Sequence, residues 1–158
     1  MFNKIIVPLD ESDLSEQALF YAKEMAKQFK SELVLLQAVA PVAITMTDLG
    51  SGMESPTVTA MTVESARNIE TANIKAATAY LDAKLKQVSS EGIHASSKVI
   101  LDVPAKAILD ICKNENIDLI VMTTHGRSGL GRAIIGSVAD QVIRQSGVPV
   151  MVIRPKSH

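Results

Sequence analysis

The stretch Thr123-Thr124-His125-Gly126-Arg127-Ser128-Gly129-Leu130-Gly131-Arg132-Ala133-Ile134-Ile135-Gly136-Ser137 is the part of the chain best equipped for chemistry. Gly126 lets the backbone approach a phosphate with no Cβ in the way. Gly136-Ser137 puts unpaired N–H groups and a hydroxyl at the start of a helix, where the dipole favours an anion. Arg127 or Arg132 could add positive charge. Read without a ligand, the same glycines let a long connection turn, and Ser137 serves as an N-cap. Glycines without a fixed spacing do not separate the two readings.

Other reactive side chains are few. Asp10 follows a short apolar run and is either a ligand-facing carboxylate or the capping residue of a helix. His125 lies in the glycine-bearing loop, but no Cys, Glu or second His accompanies it, so a structural or phosphate-side hydrogen bond is expected rather than acid–base catalysis. His94 and His158 suggest no chemistry, and no run has the spacing of a metal-ligand set. Met46, Met53 and Met61 flank a long loop, where thioethers either cover a ligand or anchor the loop. The single cysteine, Cys112, falls in phase with Ile108, Leu109 and Ile111 and reads as a small core residue.

These residues need a scaffold, and the pattern supplies one. Residues 4 to 9, Lys-Ile-Ile-Val-Pro-Leu, read as a buried strand. Ser12 or Asp13 can then cap a helix carrying Leu14, Ala18, Tyr21, Ala22, Met25, Ala26 and Phe29 on one face and ending near Lys30. A strand at Glu32 to Val39 follows. Residues 40 to 60 hold Pro41, Gly50, Gly52 and Pro56 and read as a loop. A long helix from Val63 to about Ser90 has Gly92 as its stop. Strand Ala95 to Leu101, a helix from Pro104 to Asn114, strand Asp118 to Thr123, a helix from Ser137 to about Gln145 and strand Pro149 to Ile153 complete the chain. Strands alternating with helices imply right-handed crossovers and an open parallel sheet. In such sheets ligands bind beyond the carboxyl ends of the strands, where strand order reverses.

Composition agrees with this class. A chain of 158 residues with 47% hydrophobic but only 3% aromatic residues builds one core from Val, Ile, Leu, Ala and Met. The formal charge of −1 and the lack of a basic stripe argue against nucleic acid as a partner. The opening apolar stretch, Ile5-Ile6-Val7, is too short for a signal peptide or membrane span, so a cytoplasmic protein with no membrane contact is expected. Pro149 places the last strand at a sheet edge, and the apolar Val148, Val150, Met151, Val152 and Ile153 need cover there. A homodimer through residues 148–154 is the expected solution, with a folded-over C-terminal tail as the alternative.

Taken together, the chain resembles the universal stress protein family over essentially its whole length. That family's nucleotide motif runs Gly, two residues, Gly, nine residues, Gly, then Ser or Thr. Gly126, Gly136 and Ser137 match it, and Thr123 stands where the first glycine falls. The opening Ile5-Ile6-Val7-Pro8-Leu9-Asp10 with Ser12, and the closing Gly136-Ser137-Val138-Ala139-Asp140 followed by Pro149-Val150-Met151-Val152, are also similar. The resemblance implies a five-stranded Rossmann-like sheet of the adenine nucleotide alpha hydrolase-like type, strand order 3-2-1-4-5, forming a single domain. It implies ATP, with or without Mg2+, as ligand of a regulatory stress-response protein that has at most weak ATPase activity. Asp10 would lie near the ribose or a metal, and Ala38 or Val39 near the adenine. Pro8, Leu9, Thr123, Thr124, His125, Gly126, Arg127, Ser128, Gly129, Gly136, Ser137 and Val138 would complete the site. The alternative is a family member that binds no nucleotide and acts as an interaction module.

Other α/β classes fit less well. A P-loop enzyme needs Gly-x4-Gly-Lys-Ser/Thr after a strand, and no such run exists. An adenylating enzyme needs a glycine-rich loop after strand one, but Leu9-Asp10-Glu11-Ser12-Asp13 has no glycine. A phosphate-accepting receiver domain would use Asp10, Glu11 and Asp102, but Lys156 matches its lysine only approximately.

Overall fold

The computed structural model describes residues 2–44, 56–124 and 136–154, with the backbone alone for 56–59. The elements run β1 (Lys4–Pro8), α1 (Asp13–Phe29), β2 (Glu32–Val39), α2 (Pro56–Ser90), β3 (Ala95–Leu101), α3 (Pro104–Asn114), β4 (Leu119–Thr123), α4 (Ser137–Gln145) and β5 (Val150–Ile153). All strand pairs are parallel, in the order β3-β2-β1-β4-β5. The sequence predicts this fold class and this strand order.

The sheet is a sandwich filling because β1 and its neighbours are apolar on both faces. Alternation along β1 sends Ile5 and Val7 to one side and Ile6 to the other. Ile5 and Val7 pack with Leu33, Leu35, Val121, Ala18 and Ala22 of α1, and Leu81 and Val88 of α2. Ile6 packs with Val34, Leu36 and Ile120 against α3 (Ala105, Ile108, Ile111) and α4 (Ala139, Val142). Burying such side chains stabilises by about 1.5–3 kcal/mol each.

Local signals set the ends of α1. The Ser12 hydroxyl accepts a hydrogen bond from the Ser15 N–H at 3.1 Å, so Ser12 is the N-cap. Lys30, in the left-handed region at φ 56°, ends the helix, and its N–H bonds the Ala26 carbonyl.

Two differences from the sequence pattern are informative. Helix α2 begins at Pro56, inside the stretch whose Gly, Pro and Thr content predicts a loop to residue 60. Proline fits the first turn of a helix, where its missing N–H costs nothing. In α1 the buried face is Ser15, Ala18, Leu19, Ala22 and Ala26, whereas Tyr21 and Phe29 are each 38% exposed. Large rings on the periphery of the apolar stripe yield to the smaller side chains that fit against the sheet.

The two sheet edges differ. β3 presents Ser96, Ser97 and Lys98, residues that discourage pairing with another chain, while Val150, Met151, Val152 and Ile153 of β5 are apolar and only partly buried. β5 sits at the edge, as Pro149 predicts, and starts one residue later, at Val150.

Candidate functional site

Strand order reverses at β1, which is flanked by β2 on one side and β4 on the other. Beyond the carboxyl ends of these three strands the structure opens into a cavity of about 690 Å³. Parallel strands spaced about 4.8 Å apart put the ends of β2 and β4 about 10 Å from each other, the span of a nucleoside with its first phosphate.

Each element contributes a short wall. Pro8, Leu9 and Asp10 come from the end of β1, Ala38 and Val39 from β2, Thr123 and Thr124 from β4, and Gly136, Ser137 and Val138 from the start of α4. All ten expected site residues that are described therefore line one cavity. His125, Gly126, Arg127, Ser128 and Gly129 lie outside the described residues, as do Met46 and Met53. Asn73 and Ala76 of α2 and Pro104 and Ile108 of α3 also line the cavity, and none of these four stands out in the sequence.

The α4 end suits an anion. Gly136 is the N-cap, with φ −60° and ψ 151°, and has no side chain to satisfy the first N–H groups of the helix. The Gly136 N–H donates to the Thr124 carbonyl at 2.6 Å, so its own donor is used and the turn is tied to β4. The first-turn N–H groups of Ser137 and Val138, with the Ser137 hydroxyl, then stand beside the cavity at the positive end of the dipole. Asp140 in that turn is held by the Arg144 side chain, Nε to Oδ1 at 2.9 Å, which offsets its charge.

The β1 end has the opposite character. The described charged residues on the cavity wall are Asp10 and Glu11, both acidic, so an anionic group is directed toward α4 instead. The Asp10 carboxylate accepts from the Ser12 N–H at 3.1 Å and from the Ser12 hydroxyl, while the Asp10 N–H donates to Ser15 Oγ at 3.3 Å. One hydroxyl thus links the helix cap to the carboxylate. Asp10 therefore lines the cavity and supports the capping turn, in which the cap itself is Ser12.

Glu11 and Gln37 form a second feature. Glu11 has φ 65°, a left-handed conformation that costs a non-glycine residue about 1–2 kcal/mol. Its carboxylate accepts a hydrogen bond from Gln37 Nε2 at 2.7 Å. Gln37 is 6% exposed, lines the cavity, and its Oε1 is buried with no hydrogen-bond partner among the described residues. A lone amide inside the apolar run Leu33–Val39 is the sequence signal that could have singled it out.

Among the described residues no group of three or more His, Cys, Asp or Glu side chains could hold a metal ion by itself. Cys112 packs against the α3–α4 core, and burial pushes its thiol up to about 11, which leaves it protonated near neutral pH. No described helix is long and apolar enough to cross a membrane.

Comparison with known proteins adds the family. The model of the universal stress protein family matches residues 1–154. Universal stress protein MJ0531 of Methanocaldococcus jannaschii is 31% identical over 160 residues, covering 100% of this chain and 86% of its own. The solved structure of the hypothetical protein MJ0577 superposes with a TM-score of 0.82 at 23% identity, covering 100% of this chain and 99% of that one. Two further structures share the fold: a universal stress protein in complex with cAMP (TM-score 0.62, 18% identity, 97% of each chain) and a family protein of Arabidopsis thaliana with AMP bound (TM-score 0.61, 17% identity, 98% of this chain and 93% of that one).

Proposed function

Because the chain belongs to the universal stress protein family, we propose that it is a regulatory protein that binds ATP in the cavity between β1, β2 and β4 and acts as a homodimer. One observation carries the reading: residues from four separate segments, chosen on sequence grounds for nucleotide contact, meet in one cavity that has a helix N-terminus at one end. Structures sharing this fold hold cAMP and AMP, which supports an adenine nucleotide as the class of ligand.

In this arrangement the N–H groups of Ser137 and Val138 and the Ser137 hydroxyl donate to phosphate oxygens. Asp10 lies on the β1 side, where its carboxylate would accept from ribose hydroxyls or be the one protein ligand of a Mg2+ brought by the nucleotide. Ala38 and Val39 border the base. Bound ATP supplies negative charge at α4 and a flat base at β2. It thereby ties together segments that the fold only brings near one another. Thr123, at the place of the motif's first glycine, lines the cavity.

The dimer would form through β5, residues 148–154. Support comes from its apolar, partly exposed side chains at a sheet edge that no described strand covers, against an opposite edge at β3 that carries Ser96, Ser97 and Lys98 in its first half.

Two measurements test the proposal. Mass spectrometry of the supernatant of purified, heat-denatured protein is expected to find an adenine nucleotide, or calorimetry of nucleotide-free protein is expected to show ATP binding. A clean sample that gives no binding heat with ATP would sink the nucleotide reading and leave the interaction module.

A further inference from the structure

Resting on the nucleotide reading, we infer that Gln37, held in one orientation by Glu11, reads the hydrogen-bonding edge of the bound base and selects a 6-amino purine over a 6-oxo purine. The starting point is a residue that local structure does not explain. Gln37 interrupts the apolar β2, is 6% exposed, and keeps a buried Oε1 with no hydrogen-bond partner among the described residues. Native proteins leave few such atoms, and one on the wall of a cavity is an acceptor awaiting a donor from the ligand.

The direction of the amide follows from its neighbour. Nε2 donates to the Glu11 carboxylate at 2.7 Å. Turning the amide around would set Oε1 against that carboxylate, acceptor against acceptor, so the oxygen is the atom left for the ligand. Glu11 reaches this position from a left-handed backbone conformation at φ 65°, one that non-glycine residues seldom adopt. The terminal torsion of glutamine is broad, and a modest rotation presents Oε1 to the cavity while Nε2 stays with Glu11.

Position decides which part of the ligand meets it. The anion-binding end of the cavity is at α4, beside β4, while Gln37 is on β2, across β1 from it. Asp10 and Glu11 keep phosphates away from the β1–β2 side. A nucleotide with its phosphates at α4 therefore extends its base over the carboxyl end of β2, where Gln37 on the α1 side of the sheet and Ala38 on the α4 side both line the cavity. An exocyclic amine satisfies Oε1. A carbonyl at the same position faces another acceptor, and both oxygens then lose water without gaining a partner.

The test is calorimetric titration of nucleotide-free protein with ATP and with inosine triphosphate, whose base carries a 6-oxo group. The wild-type protein is expected to bind ATP at least about tenfold more tightly than inosine triphosphate. Gln37→Leu, of similar size, should compress that ratio to within about twofold, mainly by weakening ATP. Glu11→Gln, at an exposed position, releases the amide to turn and should compress the ratio by strengthening inosine triphosphate. This second variant carries the test should Gln37→Leu fail to fold. A wild-type ratio near one, or a ratio that neither variant changes while ATP still binds, overturns the assignment of Gln37 and leaves the nucleotide site standing. Absence of binding by either triphosphate to the wild-type protein overturns the nucleotide reading itself, and this inference with it.

Discussion

The Thr124 carbonyl accepts a hydrogen bond from the Gly136 N–H at 2.6 Å, joining the end of β4 to the first turn of α4. Thr124 is also bonded through its own N–H to the Ile153 carbonyl at 3.2 Å, so the edge strand β5, its neighbour β4 and the helix start meet at one residue. The helix N-terminus thus lies at the sheet's carboxyl edge because backbone groups hold it there, and this placement needs no ligand.

Ser137→Asp separates ligand binding from stability. A carboxylate in the first turn of α4 interacts favourably with the helix dipole, so the melting temperature should hold or rise slightly. The same charge repels phosphate, and ATP affinity measured by calorimetry should fall by about tenfold or more. Equal affinity in the variant would place the phosphates elsewhere.

Ser12→Ala removes the α1 cap and one donor to Asp10. The expected loss is about 1 kcal/mol, which lowers the melting temperature of a domain this size by about 2–4 °C. Thermal unfolding followed by circular dichroism checks the value. ATP binding should weaken as well, since Asp10 loses the hydroxyl that orients it.

Ile6→Ala and Met151→Lys should have contrasting effects. Ile6 is fully buried in the central strand between β2 and β4, and its truncation should cost about 2–5 kcal/mol in denaturant unfolding. Met151 is 36% exposed on the edge strand. A lysine there should leave the monomer's unfolding within about 0.5 kcal/mol of wild type yet yield a monomer in sedimentation velocity. A wild-type protein already monomeric would remove β5 as a dimer interface.

Asp118 gives a pH-dependent contribution of known sign. Hydrogen bonds from the N–H groups of Asn3 and Lys4, at 2.7 and 2.9 Å, hold its carboxyl below the ordinary aspartate value of 3.8. A depressed folded-state pKa means the stabilisation is complete above the unfolded value and is lost as pH falls through the folded one. The difference in stability between wild type and Asp118→Asn should therefore be complete at pH 7 and smaller at about pH 3, below the unfolded value and on the way down to the folded one. Denaturant titrations at both pH values decide it.

Much of the fold was legible because it rests on local interactions. Strand bounds at Glu32–Val39 and Ala95–Leu101 and helix bounds at Pro104–Asn114 and Ser137–Gln145 follow from β-branched runs, caps and breakers, all short-range signals. The start of α2 was not legible, since Pro56 stands beside glycines and threonines and proline serves a loop or a first turn equally well. Nor was the buried face of α1. Leu19 and Tyr21 are both plausible core residues by spacing, and only the sheet beneath selects the smaller one.

By itself, then, the amino-acid order determined the alternation of strands and helices, a cap at Ser12 or Asp13, and the glycine-and-serine chemistry around the start of α4, because each depends on neighbours a few residues apart. Tertiary structure decided that Asp10, Ala38, Thr123 and Ser137 share one cavity, that Asp10 is tied to a helix cap, and that Gln37 keeps an oxygen without a partner among the described residues. Those relationships are long-range. They exist only once β1 lies between β2 and β4, where parallel pairing brings distant segments to one edge and burial determines which polar atoms lose water.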